Sequence, residues 1–283
     1  MDAKCAIVVP VSQNYEIGLR VFLKSFLEYH QREDIGIVLL NYDLPDNWLM
    51  DLPLEIEIIQ LDRSKPPQMI CKLEGYRYAG QMDRVTMLAD ADSFFCGNVK
   101  HLFDIASLGY IMGSANGQNL IFQKDYEEHT GIKGIAGKVN HRTIAAPLVI
   151  DPKEHGHLFV EAVETWENIG QHHGTSIWML FNAMVAKHNK VDKVISFPAQ
   201  QLTNLHQKML KQGTRVRKVD GKLMTEDGLQ VLMVHDKWWK QNFLDGLMTM
   251  GERYSNSLST HNYLAQWKAS RDLIKEEFER YLI

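Results

Sequence analysis

A chain of 283 residues with a hydrophobic share of 45% has enough apolar material for a sizeable core, in one large α/β domain or two smaller ones. Its formal net charge of -4, with both signs well mixed, argues against a general attraction to nucleic acid or to an anionic membrane surface. Cys5, Cys71 and Cys96 are widely spaced and show neither Cys-x-x-C nor Cys/His zinc spacing, so they read as buried inert thiols rather than as a disulfide framework or a structural zinc site.

The N-terminus passes straight into a short apolar run, Ala6 to Val9, too short for a signal-peptide core or a membrane span. The expectation is a cytoplasmic protein whose first strand is that run. Ile17, Val21, Phe22, Ser25, Phe26 and Tyr29 then recur at helical spacing and predict a helix with one apolar stripe. Gly36 to Leu40 reads as a second strand and Ile56 to Leu61 as a third. Pro66 and Pro67 open a helix running to about Ala79, since the first turn of a helix has no intrahelical use for the missing N–H groups. Val85 to Ala89 is the next strand. Strands alternating with crossover helices predict an α/β fold built on a mainly parallel, Rossmann-like sheet flanked by helices.

The second half is less regular. Residues 114 to 140 are rich in Gly, Asn, Lys and His with weak periodicity, and read as an irregular segment with at most a short helix. Leu148 to Ile150 reads as a strand, and His157 to Asn168 and Ser176 to His188 as helices. Asp220-Gly221, inside Val216 to Leu223, marks a tight hairpin turn. Gln230 to Val234 is apolar enough for one more strand. From about Asn262 the chain is a mixed-charge amphipathic helix. With no repeat or linker-like composition, the expected organisation is a catalytic domain over residues 1–240 and a helical C-terminal extension over 241–283 packed on it.

The sharpest feature is the end of the fourth strand, Leu88-Ala89-Asp90-Ala91-Asp92-Ser93-Phe94-Phe95. A buried strand here delivers two carboxylates separated by one small residue, at its carboxyl end, where open α/β sheets bind ligands. Such a pair repels itself at neutral pH unless a proton or a cation lies between the charges. A hard divalent ion, Mn2+ or Mg2+, suits the carboxylate oxygens and keeps coordination positions for diphosphate oxygens. An isolated Asp-x-Asp is often only a turn or a helix cap. The apolar strand before this one, with Phe94-Phe95 and Val99-Lys100-His101-Leu102-Phe103 after it, favours the metal reading.

The block Lys72-Leu73, Tyr76-Arg77, Asp83-Arg84-Val85, Leu88-Ala89-Asp90-Ala91-Asp92, Gly97-Asn98-Val99 and Leu102-Phe103 resembles the GT-A fold glycosyltransferases, especially the retaining enzymes related to glycogenin and to bacterial lipopolysaccharide galactosyltransferases. The resemblance covers about Ala6 to Gly113 and returns near residue 235. There, Val231-Leu232-Met233-Val234-His235-Asp236-Lys237-Trp238-Trp239 is similar to the family's late strand, which ends in histidine followed by lysine and tryptophan. The resemblance implies a GT-A fold, a cation held by Asp90, Asp92 and His235, and a donor site formed by Tyr15, Lys72, Asp90, Ala91, Asp92 and Lys237. Tyr15, after the first strand, would stack on the base; Lys72 would reach the sugar or diphosphate, Lys237 would neutralise diphosphate charge, and Asp43 would meet the base or ribose. Packing or solvation alone also accounts for Tyr15, Lys72, His235 and Lys237.

The implied activity is metal-dependent transfer of a hexose from a UDP-sugar to a hydroxyl acceptor, with retention. The implied partners are a nucleotide-sugar donor and an acceptor that is a glycan, a lipopolysaccharide or a modified nucleic acid. The chain departs from the family in having Ala145-Ala146-Pro147 where the family has Asn-Ala-Gly, and Gly174-Thr175-Ser176-Ile177-Trp178 near Asn182 in place of an acidic or amide pair. Those family residues touch the transferred sugar. Lys208, Lys211, Arg215, Arg217 and Lys218 form a basic run that reads as a solvated face. Two rival readings are a haloacid-dehalogenase-like phosphatase, with Asp90 as nucleophile, and a catalytically inactive sugar- or partner-binding module. Ser93-Phe94 directly after the triplet argues against the phosphatase, and the absence of a glycine-rich loop in Pro10 to Tyr15 argues against a nucleotidyltransferase.

Overall fold

The structure, a computed structural model, describes residues 3–31, 34–45, 48, 56–115, 127, 132–133, 143–169, 176–198, 201, 214–257 and 263–282. In chain order its elements begin with β1 (Cys5–Val11), α1 (Glu16–His30), β2 (Ile35–Asn41), β3 (Ile56–Gln60), α2 (Pro67–Gln81) and β4 (Val85–Leu88). There follow β5 (Ser93–Phe95), α3 (Lys100–Ala106), β6 (Ile111–Ala115), β7 (Ile144–Ile150), α4 (Pro152–Ile169), α5 (Ile177–Lys187) and β8 (Val194–Phe197). The last are β9 (Val216–Val219), β10 (Lys222–Thr225), β11 (Met233–His235), α6 (Gln241–Ser257) and α7 (Tyr263–Glu279). The chain divides into two compact units. One comprises Met1–Gln13, Glu33–Asp90 and Lys100–Phe197, the other Asn14–Arg32, Ala91–Val99 and Pro198–Ile283.

The first unit is a seven-stranded sheet in the order β3-β2-β1-β4-β7-β6-β8 with helices packed on it. β1 pairs in parallel with β2 and β4, and β2 with β3, while β7 runs antiparallel to both of its neighbours. The sheet is thus mixed and mostly parallel, as the strand and helix alternation predicts. β1 and β2 are apolar almost throughout because both of their faces are covered, the expected signature of central parallel strands. The chain leaves β1 for β2 and β3 on one side and returns to β4 on the other. The carboxyl ends of β1 and β4 therefore flank a topological switch point, where sheets of this kind leave a crevice for ligands.

β7 is longer than the three residues expected of it, and Pro147 is the reason it was hard to see. Proline has no N–H for a ladder. β6 and β7 accommodate this with a register shift, so that Gly113 faces Leu148 while Ser114 faces Ala145. Asn182 of α5 supplements the ladder by accepting the N–H of Ile144 and donating to its carbonyl, at 3.0 and 2.8 Å. β6 and β8 are additional short strands not expected from the pattern. α2 presents Ile70, Leu73, Tyr76 and Ala79 to the core, as its apolar spacing requires. It meets α4 at Gly80 and Gly156, where a Cβ on Gly156 would lie 2.0 Å from the Gly80 carbonyl oxygen, so only hydrogen fits at the crossing.

In the second unit α1 packs on β5 through Phe22 and Phe26, which meet Phe95 edge-on, and Ser25 Oγ accepts the Phe95 N–H at 3.0 Å. β5 pairs antiparallel with β11, and β9 with β10. Asp220 and Gly221 turn the β9–β10 hairpin with φ of 48° and 77°, the left-handed pair that the Asp-Gly dipeptide announces. A core of Phe94, Val231, Val234, Trp238, Leu247, Trp267, Ile274 and Phe278 joins these strands to α6 and α7. Glu277, 2% exposed, is compensated by Lys218 at 3.3 Å and Arg280 at 2.7 Å.

Cys96 is buried, whereas Cys5 and Cys71 are only partly covered, which corrects the expectation of three buried thiols. Burial raises all three pKa values, Cys71 to about 12. Most of the irregular segment at 114–140, together with Gly174, Thr175, Lys208, Lys211 and Asn262, lies outside the described residues. Among the described residues no helix is long and apolar enough to cross a membrane.

Candidate metal centre

The acidic triplet straddles the end of β4 and the start of β5. Asp90 closes the Glu33–Asp90 segment of the first unit and is tied to Asp92 through Ala91 alone. Within the second unit the β5–β11 ladder sets Met233 against Phe95, Val234 against Phe94 and His235 against Ser93. The ladder is closed at one end by Cys96 N–H to Leu232 O at 2.8 Å and at the other by Asp236 N–H to Asp92 O at 2.9 Å. This register carries the His235 imidazole to Asp92, with Nε2 at 3.1 Å from Oδ1. A slip of one residue would turn His235 to the opposite face of the ribbon. Just past the ladder, Asp236 has φ of 111°, a conformation costly for a residue with a Cβ, of a kind that concentrates at functional sites.

One ligand atom from each of Asp90, Asp92 and His235 lies within 4.8 Å of the others, and among the described residues no other set of three such side chains meets that distance. Asp92 is 8% exposed. Burial works against its charge, but the charge and hydrogen bond of His235, with Lys237 further off, hold its carboxyl below the usual carboxylate range. Two carboxylates and one imidazole are a donor set that suits Mn2+ or Mg2+, with positions left for water or ligand oxygen. The residues present therefore fit a divalent cation.

The other anticipated residues fall into two groups. Tyr15, Ala91 and Lys237 belong to the same unit as Asp92 and His235. The Lys237 ammonium lies over the Tyr15 ring, 5.5 Å from its centre. Burial opposes the charge on Lys237, yet Tyr15, hydrogen-bonded to it, together with Asp92 and Asp236, raises its pKa. Lys72 is exposed on α2 of the first unit, and Asp43 in that unit accepts the Gln13 N–H at 2.6 Å at the carboxyl ends of β1 and β2.

Three residues join the site that sequence reasoning did not assign to it. Trp239 meets Tyr15 edge-on at 6.1 Å and stacks on Phe278 at 6.2 Å. Gly18 lets α1 approach both Trp239 and the Ala91 carbonyl: an added Cβ would stand 2.7 Å from two carbons of the indole and 2.8 Å from that oxygen. A glycine in the apolar stripe of a helix is the signal that could have found it. Tyr76, buried in the first unit, has its phenol pushed up by burial and secondarily by the charge of Asp90.

No protein-family model and no curated protein sequence matches the chain. Solved structures do match it. The galactosyltransferase LgtC, in complex with donor and acceptor sugar analogues, aligns with a TM-score of 0.57 at 16% identity over 90% of this chain and 96% of that one. The bifunctional glycosyltransferase WbbM in its apo form gives 0.52 at 13% identity over 95% of this chain and 52% of that one. The apo form of the glycosyltransferase GlyE from Streptococcus pneumoniae TIGR4 gives 0.52 at 15% identity over 99% of this chain and 64% of that one. At such identities the likeness is one of fold, and the fold is GT-A-like: a mixed, mostly parallel seven-stranded sheet flanked by helices, with helices at the C-terminus.

Proposed function

We propose that the protein is a metal-dependent glycosyltransferase that moves a hexose from a UDP-sugar to a hydroxyl acceptor with retention. The observation that carries this reading is the meeting of Asp90, Asp92 and His235 at the carboxyl end of β4 in a GT-A-like fold. A bound Mn2+ or Mg2+ supplies positive charge that stabilises the departing nucleoside diphosphate.

The chain's own residues would do the rest. Asp92 is held ionised by His235, so it presents a carboxylate oxygen without having to lose a proton first. Lys237 is held charged and placed by Tyr15, and it offers a mobile ammonium to the diphosphate. Asp43, its one oxygen occupied by the Gln13 N–H, stands where β1 and β2 end and would meet the base or ribose. Tyr15 would give its ring to the base, and Lys72 would reach the sugar or diphosphate; both roles rest on the family resemblance. The acceptor proton passes to an oxygen of the leaving diphosphate, so no protein base is assigned. The acceptor is a glycan, a lipopolysaccharide or a modified nucleic acid.

UDP release from a panel of UDP-hexoses with Mn2+ tests the proposal in wild type and in Asp92→Ala. The wild type should turn over one donor, and the variant should lose at least about a hundredfold, roughly 2.7 kcal/mol of barrier, with an unchanged far-UV spectrum. Equal rates in the two proteins, or no turnover of any donor by the wild type, overturn it. Release of inorganic phosphate from simple phosphomonoesters instead would return the reading to a phosphatase.

A further inference from the structure

The first unit carries a second group of metal-ligating side chains, where α4 packs against the C-terminal end of α5. His157 and Glu161 are four residues apart on α4 and so share one face. His188 caps α5. Its Nε2 lies 2.9 Å from Glu161 Oε2, and its ring centre is 5.0 Å from that of His157 at an interplanar angle of 77°. We infer that His157, Glu161 and His188 form a second cation site, for a transition metal of the Zn2+ class.

The spacing supports this directly. Two imidazoles on one tetrahedral zinc, with Zn–N of about 2.0–2.1 Å, place their ring centres about 5 Å apart. The His157 and His188 rings already have that separation. Between His188 and Glu161 a shared proton occupies the line that a metal would take over, so loading exchanges one Nε2 proton for the ion. The three donor atoms are not yet as close as those of the acidic triad, and His157, which is exposed, must turn a nitrogen inward. The C-terminal carbonyls of α5 add partial negative charge at this point. Lys187, whose ammonium lies 3.0 Å from Glu161 Oε2, and Lys190 oppose the ion, and Lys187 must release the carboxylate as it binds. Two imidazoles and one carboxylate select borderline ions such as Zn2+, Ni2+ and Cu2+, while the carboxylate-rich triad suits Mn2+ and Mg2+. The two sites therefore differ in preferred metal.

The test uses the full chain freed of metal by chelation, in an Asp92→Ala background that removes the first site. Zn2+ is titrated against a chromogenic chelator. One zinc per chain should bind, and adding His157→Gln or His188→Gln should weaken it at least tenfold, with the zinc-free thermal midpoint and far-UV spectrum unchanged in His157→Gln. His157→Gln is the more stringent variant because that side chain is exposed and its exchange leaves the fold intact. Absence of zinc binding in the Asp92→Ala chain, or undiminished binding in His157→Gln, overturns the assignment.

Discussion

Replacing Gly18 by alanine puts a methyl group where the structure has no room for one. It would stand 2.7 Å from Cη2 and Cζ3 of Trp239 and 2.8 Å from the Ala91 carbonyl oxygen. Non-bonded carbons settle at about 3.5–4.0 Å, so the gap is short by about 1 Å. Neither neighbour yields easily, because Trp239 is stacked on Phe278 and the oxygen is backbone. Overpacking of this kind costs about 1–3 kcal/mol. Alanine recovers up to about 0.5–1 kcal/mol over glycine within a helix. The net expectation is a loss of up to about 2.5 kcal/mol. Gly246 in α6 supplies the control, since a Cβ there meets nothing within 4 Å. Gly246→Ala should gain the propensity term alone, about 0.5–1 kcal/mol, so the two substitutions shift the urea midpoint in opposite directions at equal slope. Because the Ala91 peptide lies between the two carboxylates, Gly18→Ala should also weaken Mn2+ binding by about tenfold. A Gly18→Ala protein as stable as Gly246→Ala, with undiminished Mn2+ affinity, would refute the reasoning.

Gly156→Ala should be far more damaging, because its methyl would lie 2.0 Å from a backbone oxygen of α2 and the helices could only separate. A loss of at least about 3 kcal/mol in urea unfolding is expected, and an unchanged midpoint would mean that the crossing is wrongly placed. Alkaline pH should destabilise the fold through groups that burial keeps neutral, Tyr29 and Cys71 among them. The folded value of Tyr29 rises from 10.0 to about 12 and that of Cys71 from 9.0 to about 12. Both values are raised, so their contribution is complete below pH 9 and is lost between pH 9 and 12 as the unfolded chain ionises first. Urea midpoints measured across that range should fall, and Cys71→Ser with Tyr29→Phe should flatten the decline. A decline of equal depth in that double variant would assign it to other groups.

The parts of the fold that were legible in sequence are those whose pattern is local. β1 and β2 are nearly continuous apolar runs and β4 is broken only by Thr86, while α1 repeats its apolar residues at helical spacing and α2 is announced by Pro66 and Pro67, so each declares itself within its own span. The triplet at the end of β4 was legible for the same reason, as strand and carboxylates are contiguous. β5, at three residues, carries no period to read; the strand expected over Gln230 to Val234 forms as β11 at Met233–His235, but its pairing with β5 joins stretches far apart in sequence. β6 and β8 are short as well, and Pro147 disguised β7 by breaking the run to which it belongs. That His235 faces Asp92 was expected from resemblance and not from spacing. The roles of Gly18 and Trp239 depend on a close approach between elements that no single-segment pattern encodes.

The pairing of β5 with β11 has a bearing on folding. Asp92 and His235 become neighbours only when that short ribbon has closed in its native register, so neither a fragment nor a partly assembled chain can offer the pair to an ion. Any cation gripping them would recognise the finished molecule alone and act as a rivet on a closure that is otherwise only three residues long. Its binding free energy would then add to the resistance of the chain to unfolding. The midpoint temperature would rise with Mn2+ concentration in step with occupancy, and the ion would guard the very ladder that creates its berth.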